Sequence, residues 1–296
     1  MKLCLGTVQF GMDYGICGQK KPDIEEAVSC LDYATQNGIF AIDTARAYGS
    51  AETVVGEFLR KKTIPREKLF ISTKFKPNLL DDIDPEEYEK VIEGEIRAQL
   101  ETLHTDYVDA YMFHSARYVF DEKKLKAIAS VVKKGYARKC GVSVYEPEEA
   151  EACFNSPNVT FMQAPYSIFD HRMKESGILD SANSSCEIHT RSAFIQGLIM
   201  MDESRVPDFL SKAKPLLRRI TEVCDDYEIS RVQLALQYVK REKNISHLVF
   251  GVDSLTQLKD DIKYFNEELP KSLLAIMEHE FDGINAKIMM PSLWKR

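Results

Sequence analysis

The sequence has few features that would assign it to a class of protein at first sight. No run approaches the ~18 consecutive apolar residues that a membrane-spanning helix needs, and residues 1–6 are too short and too soon broken by glycine to form a signal peptide. Basic residues are in deficit, with a formal net charge of −7, whereas nucleic-acid binders usually have a basic surplus. We therefore expect neither a membrane nor a nucleic acid as partner.

The cysteines also show no disulfide or metal-binding pattern. There are seven of them, an odd number, and no two are spaced as Cys-x-x-Cys. This pattern indicates reduced thiols in a cytoplasmic protein rather than a set of disulfides or a zinc site. The seven positions are Cys4, Cys17, Cys30, Cys140, Cys153, Cys186 and Cys224.

Short apolar segments alternate with helical patterns along the whole chain. The apolar segments predict strands at 2–7, 39–44, 69–75, 107–114, 139–144, 161–167, 187–193 and 247–252. Helical spacing predicts helices from Asp23, at 50–61 with Ser50 as cap, from Asp84, at 123–135, from Pro147, at 173–183, at 209–227, from Ser230, from Ser254, and once more within 270–296. No linker interrupts the series, which predicts one domain over 1–296 with a C-terminal helical tail.

Eight strand–helix units over about 250 residues favour a closed (β/α)8 TIM barrel. An open, doubly wound sheet is the alternative. A dinucleotide-binding sheet of that kind places Gly-x-Gly-x-x-Gly after its first strand, and the sequence from Gly6 to Gly11 does not supply this motif.

Four polar residues fall where a barrel carries its chemistry, at the carboxyl ends of strands. Asp43 ends the second strand, Tyr48 follows it, and Lys74 and His114 end the third and fourth. Each alone has an ordinary explanation, such as capping a turn or reaching solvent. Their joint placement on neighbouring strand ends is harder to explain in that way.

The four residues make a coherent chemical set. A tyrosine phenol has a pKa of about 10 and is a slow proton donor at neutral pH. A lysine ammonium beside it favours the phenolate, and an aspartate holds the lysine in place. A nearby histidine orients a carbonyl oxygen or helps to move the proton. The set predicts protonation of an oxygen on which negative charge develops.

The chain resembles the aldo-keto reductase family in the sequence around each of these four residues. The matching motifs are Ile-Asp43-Thr-Ala-x-x-Tyr48-Gly-Ser-Ala-Glu, Ser-Thr-Lys74 and Tyr-Met-Phe-His114. The resemblance implies a (β/α)8 barrel, these four catalytic residues, and NADPH or NADH bound extended across the barrel's top. Many members begin with a β-hairpin that plugs the bottom of the barrel. Here the first strand begins almost at Met1, so we expect that hairpin to be lacking.

The resemblance also implies residues that hold the nicotinamide end of the cofactor. Ser143 and Gln163 align with positions that bind the carboxamide, although the Asn that commonly follows the Ser is Val144 here. Arg191 and Ser192 stand where many members have a stacking aromatic residue and a serine. A guanidinium plane also stacks on a ring.

The segment that aligns with the adenosine-binding region departs further from the family. It contains the predicted cofactor residues Gly251, Asp253, Ser254, Gln257 and Asp261. Gly251 and Gln257 stand where NADPH-specific members often have Lys or Arg, and Asp253 adds a negative charge. A carboxylate suits a free ribose 2′-hydroxyl better than a 2′-phosphate. We therefore expect a weaker preference for NADPH than is typical, and NADH remains open.

Three hypotheses about function follow from the sequence. The first is a cytoplasmic NAD(P)H-dependent reductase of a small carbonyl compound or sugar, with Tyr48 as proton donor and an oligomeric state compatible with a monomer. The second is a binding or sensing protein on the same barrel, and the third is a metal-dependent enzyme using Asp43 and His114. Four loop residues are expected near the substrate: Met12, Tyr14, Tyr118 and Tyr145.

Overall fold

The strands of the computed structural model, which describes residues 1–180 and 186–294, form a closed barrel. All are parallel, follow one another in chain order, and close by pairing β8 with β1. Their bounds are β1 Lys2–Gly6, β2 Ala41–Asp43, β3 Phe70–Phe75, β4 Val108–Phe113, β5 Ala137–Ser143, β6 Phe161–Pro165, β7 Glu187–Arg191 and β8 His247–Gly251. The predicted (β/α)8 barrel is confirmed and the open sheet is wrong.

The α-helices surround the barrel and cover its strands with their apolar faces. In the second helix, for example, Ala27, Val28 and Leu31 are buried at helical spacing. The helices are α1 Val8–Gly11, α2 Ile24–Gln36, α3 Ala51–Arg60, α4 Tyr88–Leu103, α5 Glu122–Lys133, α6 Pro147–Asn155, α7 Arg172–Glu175, α8 Lys214–Asp226, α9 Arg231–Lys240, α10 Leu255–Asn266, α11 Lys271–Glu280 and α12 Ala286–Met289. Within the described ranges, none of them is long and apolar enough to cross a bilayer.

Three of the four predicted helix caps are confirmed. Asp23, Ser230 and Ser254 each accept a hydrogen bond from the backbone N–H three residues on, which satisfies a donor that the helix leaves free. Ser50 precedes α3, but its hydroxyl donates to the carbonyl of Gly11 instead. That bond ties the start of α3 to the loop after β1.

Several predicted helix bounds differ from the structure. The pattern over 173–183 yields only α7, and its last positions lie outside the described residues. The pattern over 209–227 begins as a 3-10 helix at Asp208–Ala213 before α8. The tail contains α11, α12 and the 3-10 helix Pro291–Leu293 where one helix was predicted. Proline and glycine punctuate these segments, and single-sequence periodicity does not resolve such breaks.

Side chains close the lower end of the barrel, where the strands begin. The ring of Phe70 lies 5.1 Å from that of His189 and 6.0 Å from that of His247, centroid to centroid. Phe161 packs edge-on against His189 at 4.6 Å. This layer of rings packs the lower end of the barrel.

Candidate active site

A buried ion pair lies at the upper end of the barrel. Nζ of Lys74 is 2.9 and 2.7 Å from the two carboxylate oxygens of Asp43, and it also donates to the carbonyl of Thr44 at 3.0 Å. The Lys74 side chain is 1% exposed. The register explains the pairing: Asp43 lies opposite Ser72, so Lys74, two residues on, points into the barrel from the next level.

Asp43 also accepts hydrogen bonds from two side chains other than that of Lys74. Ser72 Oγ donates to its Oδ1 at 2.9 Å, and Gln163 Nε2 donates to the same atom at 2.6 Å. A buried carboxylate needs such partners to offset its lost hydration. Sequence reasoning did not assign Ser72 to the site; its shared face with Lys74 on β3 was the only signal.

The turn that carries Tyr48 packs closely against the loop after β1. A Cβ on Gly11 would lie 1.7 Å from the carbonyl oxygen of Tyr48, so no larger residue fits there. Gly49 has a φ of 56°, a conformation that favours glycine, and a Cβ there would meet Gly11 O at 2.4 Å. The backbone N–H of Ser50 donates to this same carbonyl of Gly11. These contacts fix the turn over the ion pair.

Tyr48 and His114 meet above the ion pair. Their rings are 5.6 Å apart and nearly perpendicular, and Lys74 Nζ lies 4.9 Å from the centre of the Tyr48 ring. Nδ1 of His114 is buried and has no hydrogen-bond partner among the residues that the structure describes. The predicted four residues are thus brought together.

Both rings are held in their neutral forms. Burial, reinforced by the charges of Lys74 and Arg191, lowers the pKa of His114 to about 3. Burial raises the pKa of Tyr48 above its usual value, the Asp43 carboxylate raises it further, and Arg191 opposes the shift. The sequence reasoning had Lys74 lowering this pKa. The direction differs because the phenol lies out of water and because the Asp43 carboxylate also raises the pKa.

A cleft of about 670 Å³ opens above these residues. Ten of the predicted site residues line it, and Lys74, Ser254 and Asp261 are not among its lining residues. The ten are Asp43, Tyr48, His114, Ser143, Gln163, Arg191, Ser192, Gly251, Asp253 and Gln257.

The loop residues that line the cleft only partly match those predicted from the sequence. Met12, Tyr14 and Tyr145 line it as predicted. Tyr118 does not: its hydroxyl donates to Asp81 and accepts from the backbone of Leu80, and the ring is buried. Sequence reasoning missed the loop after β7 and the tail. Their lining residues include Phe194, Ile195, Gln196, Met200, Met201, Arg205, Pro291 and Ser292.

Near the ion pair, the cleft wall has groups suited to a carboxamide. Gln163 Oε1 is buried with no partner among the described residues, while its amide nitrogen is held by Asp43. An orphaned buried acceptor is costly unless a ligand satisfies it. Arg191 donates to the carbonyl of Val144 at 2.8 Å and its guanidinium lies 4.4 Å from the centre of the Tyr145 ring. These residues fit the nicotinamide end of a dinucleotide.

The other end of the cleft is acidic. Gln257 Oε1 accepts from the backbone N–H of Asp253 at 2.8 Å, and Ser254 accepts from that of Gln257, so the start of α10 is satisfied within the protein. Burial raises the pKa of Asp253, and it raises the pKa of Asp261 to about 8, with Asp260 and Asp253 adding to the latter. This end carries carboxyl groups where a 2′-phosphate would need cations.

Two groups of side chains within the described ranges have donor atoms near enough for a metal ion. One is His171, Glu175 and Asp282, on the tail side. The other is Glu187, His189 and His247 in the lower barrel, where Lys139 already pairs with Glu187 and His189 Nε2 lies 3.1 Å from the carboxylate. Neither contains Asp43 or His114, so the metal hypothesis gains no ligand set at the cleft.

Comparison with known proteins agrees with the fold. The model of the aldo/keto reductase family matches residues 2–279. The chain therefore belongs to this family of oxidoreductases, whose members generally use nicotinamide cofactors and reduce carbonyl compounds.

The relatives and the solved structures are similar over most of their lengths. The NADH-specific methylglyoxal reductase of Escherichia coli (strain K12) is 24% identical over 289 residues, which are 86% of this chain and 88% of that protein. The L-glyceraldehyde 3-phosphate reductase of the same organism is 25% identical, covering 88% and 85%. The aldo-keto reductase AKR11C1 from Bacillus halodurans (holo form) superposes with a TM-score of 0.75 at 20% identity over 98% of this chain and 95% of that one.

We predict that Lys74→Met lowers the free energy of unfolding by about 3–5 kcal/mol, because it leaves the buried Asp43 carboxylate without its cation. The double variant Asp43→Asn/Lys74→Met should recover much of this loss. Urea unfolding followed by circular dichroism measures both. Lys90→Met, which breaks the exposed pair with Glu87, should change stability little. Equal losses in the single and double variants would contradict the pairing.

We predict that His114 makes the fold sensitive to acid. Its pKa is about 3 when folded and about 6.5 when unfolded, so between these values the unfolded chain binds more protons and stability falls as the pH falls. Relative to His114→Asn, the wild type should lose about 1 kcal/mol or more between pH 6.5 and roughly pH 4.5. Urea unfolding at a series of pH values tests this. The control variant His104→Asn, at an exposed position, should not diverge from the wild type in stability as the pH falls. If the free energies of unfolding of wild type and His114→Asn changed in parallel with pH, the prediction would be wrong.

Proposed function

We propose that this protein is an NAD(P)H-dependent reductase that converts an aldehyde or ketone to an alcohol. The observation that carries the proposal is the convergence of Tyr48, His114 and the Asp43–Lys74 pair on the floor of one cleft. Bound reduced nicotinamide would supply the hydride. The protein would then orient the carbonyl and supply a proton to its oxygen.

Tyr48 is the proton donor in this proposal. Its raised pKa keeps the phenol protonated at neutral pH, and its ring faces the cleft beside His114. As the carbonyl oxygen gains negative charge, the Tyr48 hydroxyl donates to it. The ammonium of Lys74 near the ring stabilises the phenolate that remains.

His114 and Asp43 support that transfer. The low pKa of His114 means that its ring is neutral and has one N–H to donate to the carbonyl oxygen. Asp43 fixes the lysine through two hydrogen bonds. Excluding water from this floor strengthens each of these interactions.

The residues that would hold the cofactor are those predicted from the sequence. Gln163 and Ser143 would bind the carboxamide and Arg191 would stack on the ring, with Ser192 beside it. Gly251, Asp253, Ser254, Gln257 and Asp261 would form the adenosine end. The carboxyl groups there favour a free ribose hydroxyl over a phosphate, and the similarity to an NADH-specific reductase supports the same preference.

The substrate is proposed only as a class, a small carbonyl compound or sugar. The relatives' names give methylglyoxal and L-glyceraldehyde 3-phosphate as substrates, and both are small aldehydes. Met12, Tyr14 and Tyr145 on the cleft wall offer apolar surface and hydroxyl groups, which suit such molecules. Seven free cysteines are compatible with the proposed cytoplasmic location.

We predict that Tyr48→Phe lowers kcat at least about 100-fold, because general acid catalysis contributes 10²–10⁴-fold, with cofactor affinity unchanged. The assay follows loss of reduced-nicotinamide absorbance with a panel of aldehydes, and cofactor quenching of protein fluorescence gives the affinity. Tyr33→Phe, on α2, is the control. Retention of half the wild-type kcat would overturn the role of Tyr48. A wild type that binds cofactor but reduces none of the panel would favour the sensing protein.

We predict that NADPH is not preferred over NADH by as much as about 100-fold, because the Asp253 carboxyl group on the cleft wall would repel a 2′-phosphate. Asp253→Asn should improve NADPH binding relative to NADH. Competing titrations of the two reduced cofactors measure the ratio. The exposed Asp82→Asn, outside the cleft lining, is the matched control. A larger NADPH preference, or the same ratio in both variants, would contradict the assignment.

A further inference from the structure

A polar network lies buried outside the barrel wall, behind the ion pair. Its members are Glu52 on α3, Thr73 on β3, Gln99 on α4 and Tyr111 on β4, all 3% exposed or less. Thr73 Oγ1 and Gln99 Nε2 donate to Glu52 Oε1 at 2.7 and 2.6 Å, and the Tyr111 hydroxyl donates to Gln99 Oε1 at 2.7 Å. These contacts join two strands to two helices.

The network ends on the backbone of Lys74. Gln99 Nε2 also donates to the carbonyl oxygen of Lys74 at 3.1 Å. The same oxygen accepts the backbone N–H of Arg46 at 3.3 Å. Because Arg46 belongs to the turn that leads to Tyr48, this one carbonyl joins the strand that carries the lysine to the turn that carries the tyrosine.

Glu52 provides a second link between the same two parts. It lies in the first turn of α3, four residues after Tyr48, and its Oε1 accepts from Thr73, the neighbour of Lys74 on β3. Its Oε2 is 3.6 Å from Nη1 of Arg46. Burial raises the pKa of Glu52, while the hydrogen bonds from Gln99 and Thr73 lower it. A carboxyl group is thus kept out of water between the two segments.

We propose that Glu52, Thr73, Gln99 and Tyr111 are positioning residues that set the distance between Lys74 and Tyr48. A buried polar network with its partners satisfied favours one geometry over near alternatives. In the proposed reaction, on which this inference rests, the ammonium must stay near the phenol as it loses its proton. Misplacement of about 1 Å costs on the order of 100-fold in rate.

The decisive comparison is Gln99→Met against Gln237→Met. Both glutamines are buried and donate through the amide to backbone carbonyls, but Gln237 binds those of Tyr264 and Phe265, away from the cleft. Both variants should lower stability in urea unfolding. Only Gln99→Met should lower kcat about tenfold or more, with KM and the fluorescence-measured cofactor affinity within about threefold of wild type.

A second pair of variants keeps the test informative if Gln99→Met does not fold. Thr73→Val removes the hydroxyl at constant shape and should lower kcat, whereas Thr73→Ser retains the hydroxyl and should restore it. If the wild type reduces no carbonyl compound, the proposed function is wrong. If the wild type is active and Gln99→Met matches Gln237→Met in kcat, or Thr73→Val matches Thr73→Ser in kcat, the network is only structural and the inference is wrong.

Discussion

The ion pair of Asp43 and Lys74 is the interaction on which the cleft depends. Two charges are removed from water at the top of a packed barrel, which is costly unless each is closely partnered. The lysine satisfies this by contacting both carboxylate oxygens and a carbonyl, and the aspartate by accepting further bonds from Ser72 and Gln163. Gln163, which is proposed to bind the cofactor's carboxamide, therefore also holds Asp43 in the ion pair. This contact couples the proposed cofactor site to the catalytic residues.

The pair is placed by register and by close backbone approach. Asp43 lies opposite Ser72 in the sheet, so the alternation of side chains sends Lys74 toward it without any loop adjustment. The turn with Tyr48 is set differently, by Gly11 and Gly49, whose lack of Cβ lets two backbones meet. The buried network outside the wall joins these two independently placed parts. A rigid barrel alone fixes the strand ends but not the turns above them.

The difference between strand ends, which the barrel fixes, and turns, which distant contacts fix, also explains what could be predicted from the sequence. The barrel and the four residues at its upper end followed from apolar segments and the residues that end them, because parallel strands end at one edge. The cap by Ser50 and the place of Tyr118 were wrong, since both hydroxyls bond to distant partners that periodicity does not reveal. The network of Glu52 and Gln99, 47 residues apart in sequence, was missed for the same reason. The loop after β7 and the tail have no periodic pattern that points to the cleft.

The electrostatics of the floor give a further constraint on mechanism. Burial raises the pKa of Tyr48 and lowers that of His114, so two neutral donors stand over a pair whose charges nearly cancel. A site of this kind has donors ready for an oxygen that becomes negative, and Arg191 adds a positive charge beside them. Because Asp43 already compensates Lys74, moving the ammonium changes its effect on the phenolate without changing the total charge. Geometry, rather than charge alone, is then what the surrounding protein must control.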